Sequence, residues 1–190
     1  MNLTLPRVLK ILLLTTVGIF LVDYLTKGQF FYQWLVLVPD AVLVKFQLWR
    51  LITYMFVHDY SPPILHILFT MLMLWMFGAP LIPVFGERKF LIFYLSAGFF
   101  AGLCSMIFYG VTHNPTVIVG ASGGLFALLF AFARLFPTQE FLMFFVFPVQ
   151  ARYAVLIIGA IELLLITSND RIAHIAHLGG GSFCLVVVSF

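Results

Sequence analysis

Gly120-Ala121-Ser122-Gly123-Gly124-Leu125-Phe126 opens an apolar run that continues to Leu135, and what surrounds it decides the fold. As a bare pattern, Gly-x-Ser-x-Gly matches a nucleophile elbow, and Asp170 and His177 follow in the matching chain order. Such an elbow needs an alternating strand–helix sheet around it. Here the serine lies in a chain that is 63% hydrophobic and 9% charged, with a mean hydropathy of +1.13. A water-soluble domain of this length carries far more charge on its surface. The runs are long and continuous rather than alternating, which excludes a β-barrel and leaves helices as the spanning structure. The expected fold is therefore all-α, a polytopic bundle of six transmembrane helices in a single membrane domain over residues 1–190.

The six expected spans are Ile11–Leu25, Ile64–Phe85, Phe90–Tyr109, Val117–Phe136, Ala151–Thr167 and Ile172–Phe190. Arg7 and Lys10 before the first resemble a signal peptide, but no small-residue cleavage site follows and further spans do, so this helix is retained. The connection from Gly28 to Pro63 is aromatic and amphipathic, with Phe30, Phe31, Tyr32, Trp34, Phe46 and Trp49. That composition suits a segment partly embedded in the membrane interface. Pro137–Gln150 reads as a connection with an apolar middle. Cys104 and Cys184 fall in different spans at different depths, so no disulfide framework is expected.

The net charge of +3 points to no nucleic-acid partner, since the ten basic residues sit at span ends, where they set orientation. With an inside N-terminus, Arg7, Lys10, Arg88, Lys89, Arg134 and Arg152 lie inside, and Lys27, Lys45, Arg50 and Arg171 outside. Ser122 and His177 then fall on the same side, roughly 8–10 Å below the outer boundary at 1.5 Å of rise per residue. Side chains at matched depth on different helices can meet.

Ser122 needs a base, and His177 stands in Ala176-His177-Leu178-Gly179-Gly180-Gly181, where glycines let a neighbouring helix come close. Gly120 and Gly124 form a small-xxx-small pair on the fourth span. Glycine packing alone needs no ionisable group in the membrane, and such groups are costly there. Asp170 lies about 10 Å along the helix from His177, too far to complete a triad, so a dyad is expected. Phe126, one turn after Ser122, is placed either to carry the imidazole on its ring or to fill the core. The Ser122 amide, with His66 and Thr70 on one face of the second span, can form an oxyanion hole. A threonine hydroxyl in a helix often bonds back to the carbonyl a turn earlier, here that of His66. His174 and His177 are spaced as a metal pair, yet no carboxylate or cysteine joins them at good spacing, and no metal or other cofactor is expected. His58 and His113 read as solvated loop residues. Glu162 lies at about the depth of Ser122 and His177 and reads as structural, with an unseen partner.

The set Trp49-Arg50, His66-x-x-x-Thr70, Gly120-x-Ser122-Gly123 and Ala176-His177-x-Gly179-Gly180 resembles the rhomboid intramembrane serine proteases, in order and over nearly the whole chain. The resemblance implies a six-helix bundle with a water-filled cavity and a Ser122–His177 dyad. It also implies His66 in the oxyanion hole, residues 28–63 as a membrane-embedded first loop, and the fifth helix as a side gate. Implied partners are the bilayer and single-span membrane proteins, cleaved near the outer ends of their transmembrane segments. The expected location is a bacterial cytoplasmic membrane, N-terminus inside and active site opening outward. Two departures stand out. Thr70 replaces the family's asparagine, and Gly78-Ala79-Pro80-Leu81-Ile82 lacks the glutamate often found there. The alternative reading is a catalytically silent relative that binds transmembrane helices of client proteins.

Overall fold

Continuous apolar sequence with few β-branched clusters folds into helices wherever lipid must be crossed, because the helix satisfies every backbone group internally. The computed structural model describes residues 5–59, 64–112, 117–143, 146–166 and 174–188. The elements in order are α1 (Arg7–Leu25), α2 (Tyr32–Leu35), α3 (Pro39–Leu43), α4 (Arg50–Thr53), a 3-10 turn (Tyr54–Phe56), α5 (Ile64–Phe85), α6 (Glu87–Val111), α7 (Ser122–Leu135), strands β1 (Glu140–Met143) and β2 (Phe147–Gln150), α8 (Ala151–Leu164) and α9 (His174–Val187). The fold is a helical membrane bundle. By length and composition, α1, α5 and Glu87–Phe108 of α6 can each cross a membrane, while α7 and α9 are shorter apolar helices.

Helix α7 sits at the centre, touching α5, α6, α8 and α9. Its Leu125, Ala127, Leu128, Leu129, Ala131 and Phe132 are buried, and Phe132 meets Phe77 of α5 at 5.4 Å between ring centroids. Gly86, at φ 76°, reverses the chain between α5 and α6. Glu87 then suits the positive end of α6 and accepts the backbone N–H of Arg7 at 2.8 Å, which ties the starts of α1 and α6 together.

The aromatic first connection is held from within. Asp23, fully buried, accepts the amides of Phe31 at 2.7 Å and Tyr32 at 3.1 Å. Buried Arg50 donates to the carbonyls of Val36 at 2.6 Å and Gln33 at 2.8 Å and to Oε1 of Gln47 at 2.6 Å. Charge-assisted bonds of this kind are each worth about 1.5–3 kcal/mol. Leu37, Tyr54, Met55 and Val57 point inward, while Phe30, Trp34, Phe46 and Trp49 remain exposed, as in a segment that lies at an interface.

One expectation needs correction, and one connection gains detail. Val117–Ala121 are not helical, because Ile118 pairs with Leu37 in an antiparallel bridge and Gly120 takes a positive φ, so the helix starts on Ser122. Residues within Pro137–Gln150 form a β-hairpin in which Glu140 faces Gln150 and Met143 faces Phe147. Phe141 of β1 packs edge-on against Phe77, anchoring the hairpin to the bundle. Cys104 and Cys184 are free thiols.

Candidate active site

The serine is delivered by a loop stapled to the first connection. Leu37 and Ile118 exchange two backbone hydrogen bonds of 3.0 Å, and the Gly120 amide donates to the Tyr54 carbonyl at 3.0 Å. Tyr54 is fixed in turn by its hydroxyl, which donates to the Gly98 carbonyl at 2.7 Å. Gly120 has φ 101°, a conformation that L side chains rarely adopt. A methyl group there would have room, 3.9 Å from the His58 ring, so backbone angle rather than space requires glycine.

Close packing of α7 on α9 sets the segments that carry Ser122 and His177 side by side. A methyl on Gly123 would lie 2.6 Å from the Ala101 Cβ and 3.3 Å from the Ala176 carbonyl, and one on Gly180 would collide with the Gly123 carbonyl. The two backbones therefore touch at Gly123 and Ala176, the residues just after Ser122 and just before His177. The ring of Phe126 stacks on the His177 imidazole at 4.3 Å and 4°. A residue four positions after Ser122 shares its helix face, so the imidazole lies against that face of α7. Among the described residues no hydrogen bond joins the Ser122 hydroxyl to His177. Such bonds are often loose before substrate binds.

Helix geometry leaves the first amides of α7 open. The first backbone bond into the helix runs from the Leu125 amide to the Ala121 carbonyl at 3.0 Å. The amides of Ser122, Gly123 and Gly124 precede it and stand at the positive end of the helix dipole. His66, exposed on the first turn of α5, lies within electrostatic reach of His177. Thr70 is buried, and its hydroxyl donates to the His66 carbonyl at 2.8 Å. With its proton engaged there, Thr70 is not a free donor.

One histidine reading changes. His58 is fully buried rather than solvated, with its ring 5.8 Å from that of His66. Burial first, and then the nearby charge of His66, push its pKa down to about 3, so it is a neutral imidazole. His113 lies outside the described residues, as does Asp170.

The largest change concerns Glu162. The sequence left His177 without an acid and the His174–His177 pair without a carboxylate. The structure supplies both from α8. Glu162 Oε2 lies 2.6 Å from His174 Nδ1 and 2.9 Å from His177 Nδ1. The first contact is a hydrogen bond. The second has the distance of an ion pair but not the alignment of a hydrogen bond, so His177 Nδ1 has no hydrogen-bond partner in this geometry. All three residues are buried, with their donor atoms within 4.8 Å of one another. Fifteen positions separate Glu162 from His177, beyond the reach of any helical spacing. Only their common depth pointed to the meeting.

Residues 45–190 match the family model described as the Rhomboid domain. The rhomboid protease GluP of Bacillus subtilis (strain 168) is 30% identical over 145 residues, which is 76% of this chain and 27% of that protein. The mitochondrial presenilin-associated rhomboid-like protein of Homo sapiens is 28% identical over 128 residues, 66% of this chain and 34% of its own length. The mitochondrial rhomboid protein 1 of Saccharomyces cerevisiae (strain ATCC 204508 / S288c) is 32% identical over 120 residues, 60% of this chain and 34% of its own. The chain thus spans about a quarter to a third of these relatives' lengths. A family match over most of the chain, joined to a helical membrane bundle, has one consequence: the chain belongs to the rhomboid family.

Proposed function

We propose that this protein is an intramembrane serine protease, hydrolysing peptide bonds in or near the transmembrane segments of single-span membrane proteins. The observation that carries the reading is the stack of Phe126 on His177 at the contact of α7 with α9, which sets an imidazole against the helix that Ser122 begins. In this mechanism Ser122 Oγ attacks the scissile carbonyl carbon while His177 takes its proton. The tetrahedral oxyanion is met by the Ser122 amide and by His66. Collapse breaks the C–N bond, His177 returns the proton to the leaving amine, and an ester on Ser122 remains. Water, deprotonated by His177, hydrolyses that ester and regenerates the serine. No cofactor enters.

Family membership and the named protease among the relatives support this reading. The distribution of basic residues supports a cytoplasmic membrane with the N-terminus inside and the site opening outward. The test is cleavage of a transmembrane reporter in proteoliposomes, paired with labelling by a serine-directed fluorophosphonate. Wild type should cleave and label; Ser122→Ala should do neither, and the Ser122→Ala/His177→Ala double variant should be no worse than either single. A folded wild type that neither cuts nor labels would instead favour the silent, client-binding relative.

A further inference from the structure

Helix α8 is thinly packed: Leu156, Ile157, Ile161, Leu163 and Leu164 are exposed, and its buried residues are Ala151, Ala154 and Glu162. A carboxyl turned inward from a helix of this kind is not explained by packing, since an ionisable side chain at this depth is costly. What it meets is the histidine of the proposed reaction. We propose that Glu162 is a positioning residue for His177, making Ser122, His177 and Glu162 a membrane-embedded triad; this rests on the protease reading above.

The oxygen of Glu162 faces Nδ1 of both His174 and His177. An acceptor at Nδ1 keeps the proton on that nitrogen and leaves the lone pair on Nε2, the tautomer a general base needs. His174, at 2.6 Å, anchors the carboxylate. His177, at 2.9 Å and off-axis, keeps freedom to align as it takes the serine proton, and the carboxylate then stabilises the imidazolium. Among the described residues, the other groups facing His177 are the imidazole of His66 from α5 and the Phe126 ring from α7. Neither offers a negative charge.

The same three side chains are a possible two-histidine, one-carboxylate zinc set. The spacing argues for protons instead. Donors bound tetrahedrally to zinc at about 2.0–2.2 Å stand roughly 3.4 Å apart, whereas the nitrogen–oxygen separations here are 2.6 and 2.9 Å.

The experiment reads the tautomer and the rate separately. In the wild-type protein in nanodiscs, with its histidines labelled with nitrogen-15, the His177 resonances should show a protonated Nδ1. Glu162→Gln should shift the population toward the Nε2–H form. In the reporter assay, Glu162→Gln should lower kcat by about 10²-fold or more with KM within about twofold, and Glu162→Asp should restore part of the loss. A wild-type His177 protonated at Nε2 overturns the proposal without any variant. So does a folded Glu162→Gln with unchanged tautomer and kcat, or stoichiometric zinc in purified wild type that Glu162→Gln loses. A wild type with no Ser122-dependent cleavage would refute the protease reading, while the tautomer measurement would still decide whether Glu162 orients His177.

Discussion

Gly180→Ala tests whether the contact between α7 and α9 sets the reactive geometry. The added methyl would collide with the Gly123 carbonyl oxygen and stand 2.8 Å from its carbonyl carbon and 3.4 Å from its Cα. Ordinary carbon contacts begin near 3.5 Å, so the backbones must part by about 0.7 Å to clear the carbon alone, and by more to clear the oxygen. Both obstructing atoms are backbone, so no side chain can rotate to absorb the strain. Because Gly123 follows Ser122, and Gly180 lies within a turn of His177, the separation passes directly into the distance between nucleophile and base. A displacement of about 1 Å costs on the order of 10²-fold in rate, and overpacking costs about 1–3 kcal/mol in stability. Gly180→Ala should therefore reduce kcat for a transmembrane reporter about 10²-fold, with KM changed less than about threefold and the unfolding temperature lowered by about 2–8 °C. Gly181→Ala is the control, since the atoms nearest its methyl belong to the Phe130 ring, from 3.0 Å, and that side chain can shift. A folded Gly180→Ala with wild-type kcat, or equal losses in both variants, would refute the argument.

Thr70→Val should cost less than about threefold in kcat, because the hydroxyl it removes is engaged with the His66 carbonyl, whereas His66→Ala should cost about 10²-fold. Thr70→Asn should raise kcat more than it changes KM by adding an amide donor; equal damage from Thr70→Val and His66→Ala would make the hydroxyl a true oxyanion donor. His58 supplies a pH dependence of stability. Its pKa falls from 6.5 to about 3 on folding, so the unfolded chain takes up a proton that the folded chain refuses. Its contribution is present in full above pH 6.5 and is lost as pH falls toward 3, at about 1.4 kcal/mol per unit. Thermal unfolding of His58→Gln across that window should show a flatter acid limb than wild type, and parallel limbs would contradict the assignment.

How far the sequence could be read depended on the range of each signal. The close approach of α7 and α9 was legible because glycines flank Ser122 and His177, and small residues at a helix contact leave a local trace. The Thr70 back-bond was legible because it spans one helical turn. Helices α1, α5 and α6 were legible as uninterrupted apolar runs. The start of α7 was not, because Val117 and Ile118 are as apolar as the helix that follows. What removes them from it is pairing with Leu37, eighty-one positions away from Ile118. The burial of His58 escaped for the same reason: a polar residue in a loop looks solvated until the loop is seen folded beneath Gly120. Glu162 was visible as an anomaly, but its partners depend on how α8 leans on α9, which no local pattern encodes.

The short α7 joins these observations. Fourteen residues reach about 21 Å at 1.5 Å per residue, against a hydrocarbon core of about 30 Å. A helix long enough to span would place its open amides in the interface, where water satisfies them. This helix is shorter, and the amides of Ser122, Gly123 and Gly124 have no described carbonyl partner. On the proposed reading Ser122 stands below the membrane surface, where lipid cannot satisfy these amides and water or a transient anion must. The loop before the helix satisfies only its own amides, those of Ile118 and Gly120, through Leu37 and Tyr54. On the proposed reading, the donors left over are those that meet the charge formed on the scissile carbonyl. The local instability of a truncated helix and the stabilisation of the transition state then have the same physical source. Extending α7 by a helical turn before Ser122 should therefore remove activity, read as loss of cleavage of the transmembrane reporter.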